Sequence, residues 1–178
     1  MEGIFDLVLE KDEKIIETFK PNKFKTYFKA IFNFTWILIL ALAPLAIGLF
    51  VPEEGMNPAK PIWCLIPIGA CVLGEILFVL FLNMYYKKTF YAYTNKRVLI
   101  RTGVVGVDYK SLDLKSIGAM DVYVSLLDKL LGKNTGTLRF GSMSSPMNSG
   151  VASYQFAHIQ NPYEIYKKIK EFKGSIEN

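Results

Sequence analysis

Glu75 is the residue whose setting demands the most explanation. It is the one charge between Ile62 and Leu82, and an ionisable group near the middle of a spanning helix costs several kcal/mol unless it is protonated, paired or wetted. If the two apolar runs of this chain form an antiparallel pair, the same depth on the first run falls near Thr35 to Ile37. The Thr35 hydroxyl and the Trp36 indole N–H are therefore candidate partners for Glu75. Two readings follow: a protonated carboxyl bonded within the helical pair or across a homo-oligomer, or a site on an ion or proton path. Lys96, Arg97 and Arg101 are candidate contacts for an anionic lipid headgroup, against the plainer reading of solvated charges at strand ends. Met143 and Met147 lie in a Ser-, Gly- and Asn-rich stretch from Gly141 to Ser153. They are candidates for an adaptable protein-contact loop, because the thioether side chain repacks easily, or they belong to an ordinary loop.

Catalytic chemistry is not expected. His158 is the single imidazole and sits in an expected strand, with no nucleophile elbow, phosphate loop or metal motif beside it. Gly103-Val104-Val105-Gly106 lacks the strand-to-helix setting that a phosphate cradle needs. Cys64 and Cys71 are two helical turns apart on one face, too far to bridge within one helix, and read as small packing residues. One His and two Cys cannot assemble a Cys/His metal site, and no cofactor is expected.

The elements that must position these residues divide the chain unevenly. Two runs of about twenty residues, Ala30 to Val51 and Ile62 to Leu82, are apolar without a polar stripe, long enough to cross a hydrocarbon core of about 30 Å. A cleaved leader is the alternative for the first run, with Ala41-Leu42-Ala43 as its processing site. The late start of the run, the acidic residues ahead of it and Pro44 directly after that site argue against it. Lys20, Lys23, Lys25 and Lys29 precede the first run and Lys87 and Lys88 follow the second, so both termini are expected on the cytoplasmic side of a cell membrane. The expected boundaries are a cytoplasmic N-terminal segment with an interfacial anchor at 1–29, spans at 30–51 and 62–84, an extracytoplasmic connection at 52–61, and a cytoplasmic domain at 85–178. Ala70 and Gly74 form a small-xxx-small pair that would admit another helix.

The net charge of +5 is concentrated late: from Lys87 onward there are fourteen basic and seven acidic residues. Such a domain is drawn to an anionic leaflet by about 1 kcal/mol per nearby Lys or Arg. Its cations are scattered, which does not suit nucleic acid. Within it, Thr89 to Thr94 and Arg97 to Thr102 alternate as a hairpin, and strands are expected at Val107 to Leu114, Ile117 to Val124, Thr137 to Phe140 and Tyr154 to Ile159. Ser125 to Leu131 reads as a short helical piece stopped by Gly132. Asn161-Pro162-Tyr163-Glu164 supplies a cap, a first-turn proline and a third-position acid for a final helix, with Ile165, Ile169 and Phe172 on one face. Ahead of the first span, Leu7-Val8-Leu9 and Ile15-Ile16 flank a charged patch and allow two short strands, or a strand and a turn.

The stretch from Tyr91 through Asn95-Lys96-Arg97 to Gly103, then Asp108 to Leu112, Ser125 to Gly132 and Asn161 to Tyr166, resembles the bacterial PH-like domain of membrane proteins. The resemblance implies a membrane-anchored α+β chain: a two-helix transmembrane hairpin followed by a PH-like β-barrel or sandwich with a C-terminal capping helix. It implies a non-enzymatic scaffold or interaction module at the inner leaflet that binds a membrane or cytoplasmic protein, by strand addition at an open sheet edge, or self-assembles. The alternatives are a lipid-headgroup sensor using the basic face, and a small transport or channel subunit using Glu75.

Overall fold

The computed structural model describes residues 3–50, 60–130, 134–142 and 154–177. They form two compact units: Met1–Lys25 with Met84–Asn178, and Thr26–Asn83 between them. The first unit therefore takes in the N-terminal segment that composition alone sets apart. Most of the expected connection at 52–61, Gly132, Met143 and Met147 lie outside the described residues.

Alternation of apolar and polar residues produces seven short strands in two antiparallel sheets. Strands β1 (Ile15–Phe19), β2 (Phe90–Thr94), β3 (Arg97–Thr102) and β4 (Asp108–Asp113) lie side by side in that order. A 3₁₀ turn at Leu114–Ser116 carries the chain to the second sheet, β5 (Ile117–Tyr123), β6 (Thr135–Ser142) and β7 (Tyr154–Gln160). Tyr91, Val98, Ile100 and Leu112 of the first sheet share one core with Leu138, Phe140, Phe156 and Ile159 of the second. The Tyr91 and Phe156 rings stack at 5.1 Å, and Phe140 meets Phe156 edge-on at 4.9 Å, geometries that suit the ring quadrupole. Between β5 and β6, α3 (Leu126–Leu130) makes a single turn.

The closing helix, α4 (Pro162–Glu177), begins at the proline that fits a first helical turn. Its Ile165 and Ile169 are buried, and Phe172 and Ile176 pack against the same core, a stripe at helical spacing that closes the sandwich. Two antiparallel sheets with a C-terminal helix constitute a PH-like fold.

The centre of the first sheet, β2 and β3, is buried on both faces. Phe5, 1% exposed, forms a second cluster with Ala92 and Leu99 on the outer face, flanked by Ile4, Val8 and Leu9. The Tyr109 hydroxyl donates to the Ile4 carbonyl at 3.1 Å. Of the two arrangements expected ahead of the first span, the strand-and-turn one forms: residues 3–8 are turns and Ile15–Phe19 is the strand. Phe19 of β1 pairs with Tyr91 of β2, and Thr18 with Ala92, so the chain leaves the sheet after β1 and returns to it at β2.

What lies between β1 and β2 is helical. Helix α1 runs Lys23–Phe50 and α2 runs Lys60–Lys88. In the helical unit the Tyr27 hydroxyl donates to Asn83 Oδ1 at 2.9 Å, which sets the start of α1 beside the end of α2. Phe28, Phe32 and Trp36 form a ladder of ring contacts along α1. Leu73, Ile76, Leu77, Leu80 and Phe81 of α2 are each 50–59% exposed, an apolar surface that a water-soluble helix does not carry. Among the described residues one stretch, Gly69–Lys88, is long and apolar enough to cross a membrane, and none of its most apolar window is buried within the protein. A core helix of a soluble protein would be mostly buried, so this stretch points to membrane association.

Candidate functional site

The cations expected to gather on a headgroup do not converge. Lys96 and Arg97 stand at the β2–β3 turn, while Arg101 is four residues along β3, about 13 Å away at strand rise. Arg97 is committed to the chain itself: its Nε donates to Glu13 Oε1 at 2.9 Å and its Nη2 to Glu13 Oε2 at 2.8 Å and to the Val8 carbonyl at 2.7 Å. Lys96 pairs with Glu10 at 2.8 Å. Burial pushes the Glu13 carboxyl up, but hydrogen bonds from Arg97, Thr94 and the Glu10 N–H outweigh it and bring it from 4.5 down to about 2. This pair clamps the N-terminal segment over the first sheet.

Arg101 belongs to a different group, at the end of the sheet where the helices attach. Its guanidinium lies 5.8 Å from the Phe90 ring centroid and 5.9 Å from that of Tyr109, while Lys20 Nζ is 4.7 Å from both Tyr86 and Phe90, distances at which cations are attracted to ring faces. Elsewhere, the buried Asp128 carboxylate accepts from Lys25 Nζ, from Thr135 Oγ1 at 2.6 Å and from Ser125 Oγ at 2.7 Å. Burial raises its pKa and these donors lower it, with a net fall below the usual carboxylate value. The first turn of α1 is thereby fastened to α3 and β6.

Glu75, Thr35 and Trp36 are not joined by any hydrogen bond among the described residues. The Thr35 hydroxyl donates to the Ile31 carbonyl of its own helix at 2.8 Å, and Trp36 meets Phe32 edge-on. Glu75 lines a shallow apolar groove of about 350 Å³ with Val72, Ile76, Val79 and Leu80, residues at helical spacing on one side of α2. Gly69 opens onto free space, with no atom within 4 Å of where a Cβ would sit. His158 sits in β7 with φ of 56°. Its carbonyl accepts from the Asn22 N–H at 2.6 Å and its N–H donates to Thr137 Oγ1 at 3.4 Å, so its backbone ties β7 to the exit of β1.

The feature that sequence inspection missed is a groove of about 330 Å³ between β5 and α4, lined by Ile117, Gly118, Ala119 and Met120 on one side and Tyr166, Lys170, Lys173 and Gly174 on the other. β5 and β7 are the two outer strands of their sheet, so one row of β5 backbone groups has no strand neighbour among the described residues. The other sheet's outer strand β4 carries Asp108, Lys110 and Asp113, charges that discourage pairing with a further strand. The opening half of β5, Ile-Gly-Ala-Met, carries none. Lys173 Nζ donates to the Ile117 carbonyl at 2.7 Å, and Lys170 lies 5.8 Å from the Tyr166 ring centroid. The groove therefore offers backbone hydrogen bonds, a small-residue floor and two cations, which suits an extended polypeptide. Among the described residues no group of three or more His, Cys, Asp or Glu side chains could hold a metal ion.

A family model described as Bacterial PH domain matches residues 32–173. No curated protein and no solved structure matches the chain. The matched region holds β2 to β7 and α4 together with most of both helices, while β1 precedes it. The match covers well over half of the chain, including nearly all of the two-sheet antiparallel sandwich and its C-terminal helix: the chain belongs to the Bacterial PH domain family.

Proposed function

We propose that this protein is a non-enzymatic binding module held at the inner leaflet of the cell membrane, which recruits a protein by adding one of its extended segments to the free edge of β5. The observation that carries the reading is that edge: an outer strand, uncharged over Ile117 to Met120, and faced by α4 across a groove with Lys170 and Lys173. Strand addition obtains affinity from main-chain hydrogen bonds and selectivity from side-chain pockets. The two lysines favour a segment with acidic residues.

The tether is supported by connectivity. β1 and β2 pair in one sheet, so the chain must finish α2 on the side from which it entered α1. If α2 crosses the bilayer, the outward crossing falls to α1, whose run from Ala30 to Phe50 is the only other apolar segment of sufficient length between the strands. Two spans with both termini cytoplasmic follow, in keeping with the lysines that flank them.

The test is affinity capture of the tagged full chain from native membranes in mild detergent, beside the same chain carrying Ala119→Lys, which places a charge on the edge. A protein retained by the parent and reduced at least tenfold in the variant, with equal membrane content of the two chains, is the expected result. Equal recovery of every partner from both chains would remove the β5 edge as the binding surface.

A further inference from the structure

The β3–β4 turn is built unlike a soluble hairpin turn. Its tip is Gly103-Val104-Val105-Gly106, and Val105 is 90% exposed, with Val107 exposed behind it. Soluble turns place Asn, Asp, Ser or Gly at such positions, because their side chains bond to the local backbone or tolerate its geometry. The shape is also rigidly specified. Gly103 has φ of 151°, and a Cβ there would stand 2.2 Å from the Gly106 carbonyl oxygen, so a residue with a side chain cannot hold this turn.

The turn is fixed to a particular place. Lys88 Nζ donates to the Val104 carbonyl at 2.6 Å and to the Val105 carbonyl at 3.0 Å. Lys88 is also the last residue of the apolar stretch Gly69–Lys88. One ammonium thus marks the end of the helix and holds the tip of the turn beside it. Around the same end lie Lys20 against Tyr86 and Phe90, and Arg101 against Phe90 and Tyr109. Aromatic rings interleaved with cations are the composition of a membrane–water interface, and long cationic side chains reach headgroups from that depth.

From this placement we infer that the β3–β4 turn inserts Val104 and Val105 into the headgroup–acyl boundary, a membrane contact in addition to the helices. The inference rests on the reading of α2 as a span. It deepens that reading: the sandwich is held against the lipid by its own turn, and the anionic lipid surface is the ligand of the Lys20, Lys88 and Arg101 end. The apolar tip matches the acyl boundary and the cations match the phosphates above it.

The test uses the full chain with Cys64→Ala and Cys71→Ala, reconstituted into phosphatidylcholine–phosphatidylglycerol vesicles. An environment-sensitive fluorophore is placed in turn on Val105→Cys, Leu77→Cys and Lys96→Cys, and nitroxide-labelled lipids quench it from the headgroup level or from deep in the acyl chains. Quenching of the Val105 probe by the shallow nitroxide, of Leu77 by the deep one and of Lys96 by neither is the expected pattern. Adding Val104→Asp should bring the Val105 signal at least twofold closer to the Lys96 level. A Val105 probe that stays unquenched while Leu77 is quenched would overturn the turn contact and leave the span standing. An unquenched Leu77 probe would remove the span, and the inference with it.

Discussion

The Glu13 side chain has no exposed surface, yet it remains ionised because Arg97 meets both of its oxygens and Thr94 donates to one of them at 2.7 Å. Its pKa lies lower in the folded protein than in the unfolded chain, so between those values the unfolded state binds more protons and stability rises with pH. A fall from 4.5 to about 2 corresponds to about 3 kcal/mol of stability. That contribution is complete above pH 4.5 and is lost as the pH falls through about 2. Glu13→Gln should therefore destabilise the sheet unit by up to about 3 kcal/mol at neutral pH, because the largely buried Arg97 keeps only the longer pair with Glu10 at 3.8 Å. Denaturant unfolding of the full chain in detergent between pH 5 and pH 2 checks this: the parent midpoint should fall steeply across that window and the variant's should fall much less. The clamp was not legible in the sequence. Arg97 and Glu13 are 84 positions apart, and nothing in the local pattern of either residue names the other. The spacing of Lys96, Arg97 and Arg101 along the chain likewise does not reveal that Glu10 and Glu13 of the N-terminal segment pair with the first two.

At the scale of elements, β2 to β7 and α4 were visible because each carries a local signal, either period-two alternation or the Asn161-Pro162 helix start. The limits of β3 are the expected ones and those of the other strands differ by at most two residues at either end; β6, for instance, extends to Thr135–Ser142 where only its apolar centre was apparent. β1 was ambiguous because five residues hold too few alternations to distinguish a strand from a turn. The apolar cover over the outer face was not legible for a different reason. Leu99 and Ala92 occupy the positions that alternation assigns to solvent, and only Phe5, in a segment without periodicity, removes them from it. The β5 edge was hidden because the break between the two sheets falls at the short turn Leu114–Ser116, which no local pattern marks as a corner. Phe5→Ala should leave a cavity under the N-terminal segment and cost about 3 to 5 kcal/mol, the usual range for a buried phenylalanine. A chemical denaturation series should show that loss with α1 and α2 helicity unchanged, whereas a loss below about 1 kcal/mol would mean that the segment does not cover the sheet in solution.

At the scale of the whole molecule, the helical pair is an insertion within a sheet, placed between two strands that are neighbours in space. The proposed topology predicts opposite accessibility for its two ends. In a chain with Cys64→Ala and Cys71→Ala, a cysteine at Gly55 should react with a membrane-impermeant maleimide in intact cells, and one at Ser175 only after permeabilisation. Reaction of both in intact cells, or of neither, would be incompatible with two crossings. On the proposed topology, Gly69, Ala70 and Gly74 would form a small-residue surface on α2 that could admit a second copy of the chain.

Because Phe19 pairs with Tyr91 across the whole helical insertion, β1 leaves the ribosome long before its partner does, and the intervening chain emerges at about 5–20 residues per second. During that interval β1 is an orphan edge and the sandwich cannot close. On the proposed topology, a nascent chain that threads the bilayer only once strands β1 on the wrong side, and β2 then stays unpaired with Tyr93 and Phe156 deprived of Phe19. On that topology, closure of the first sheet would depend on both crossings being made, because only then do β1 and β2 meet on one side of the bilayer.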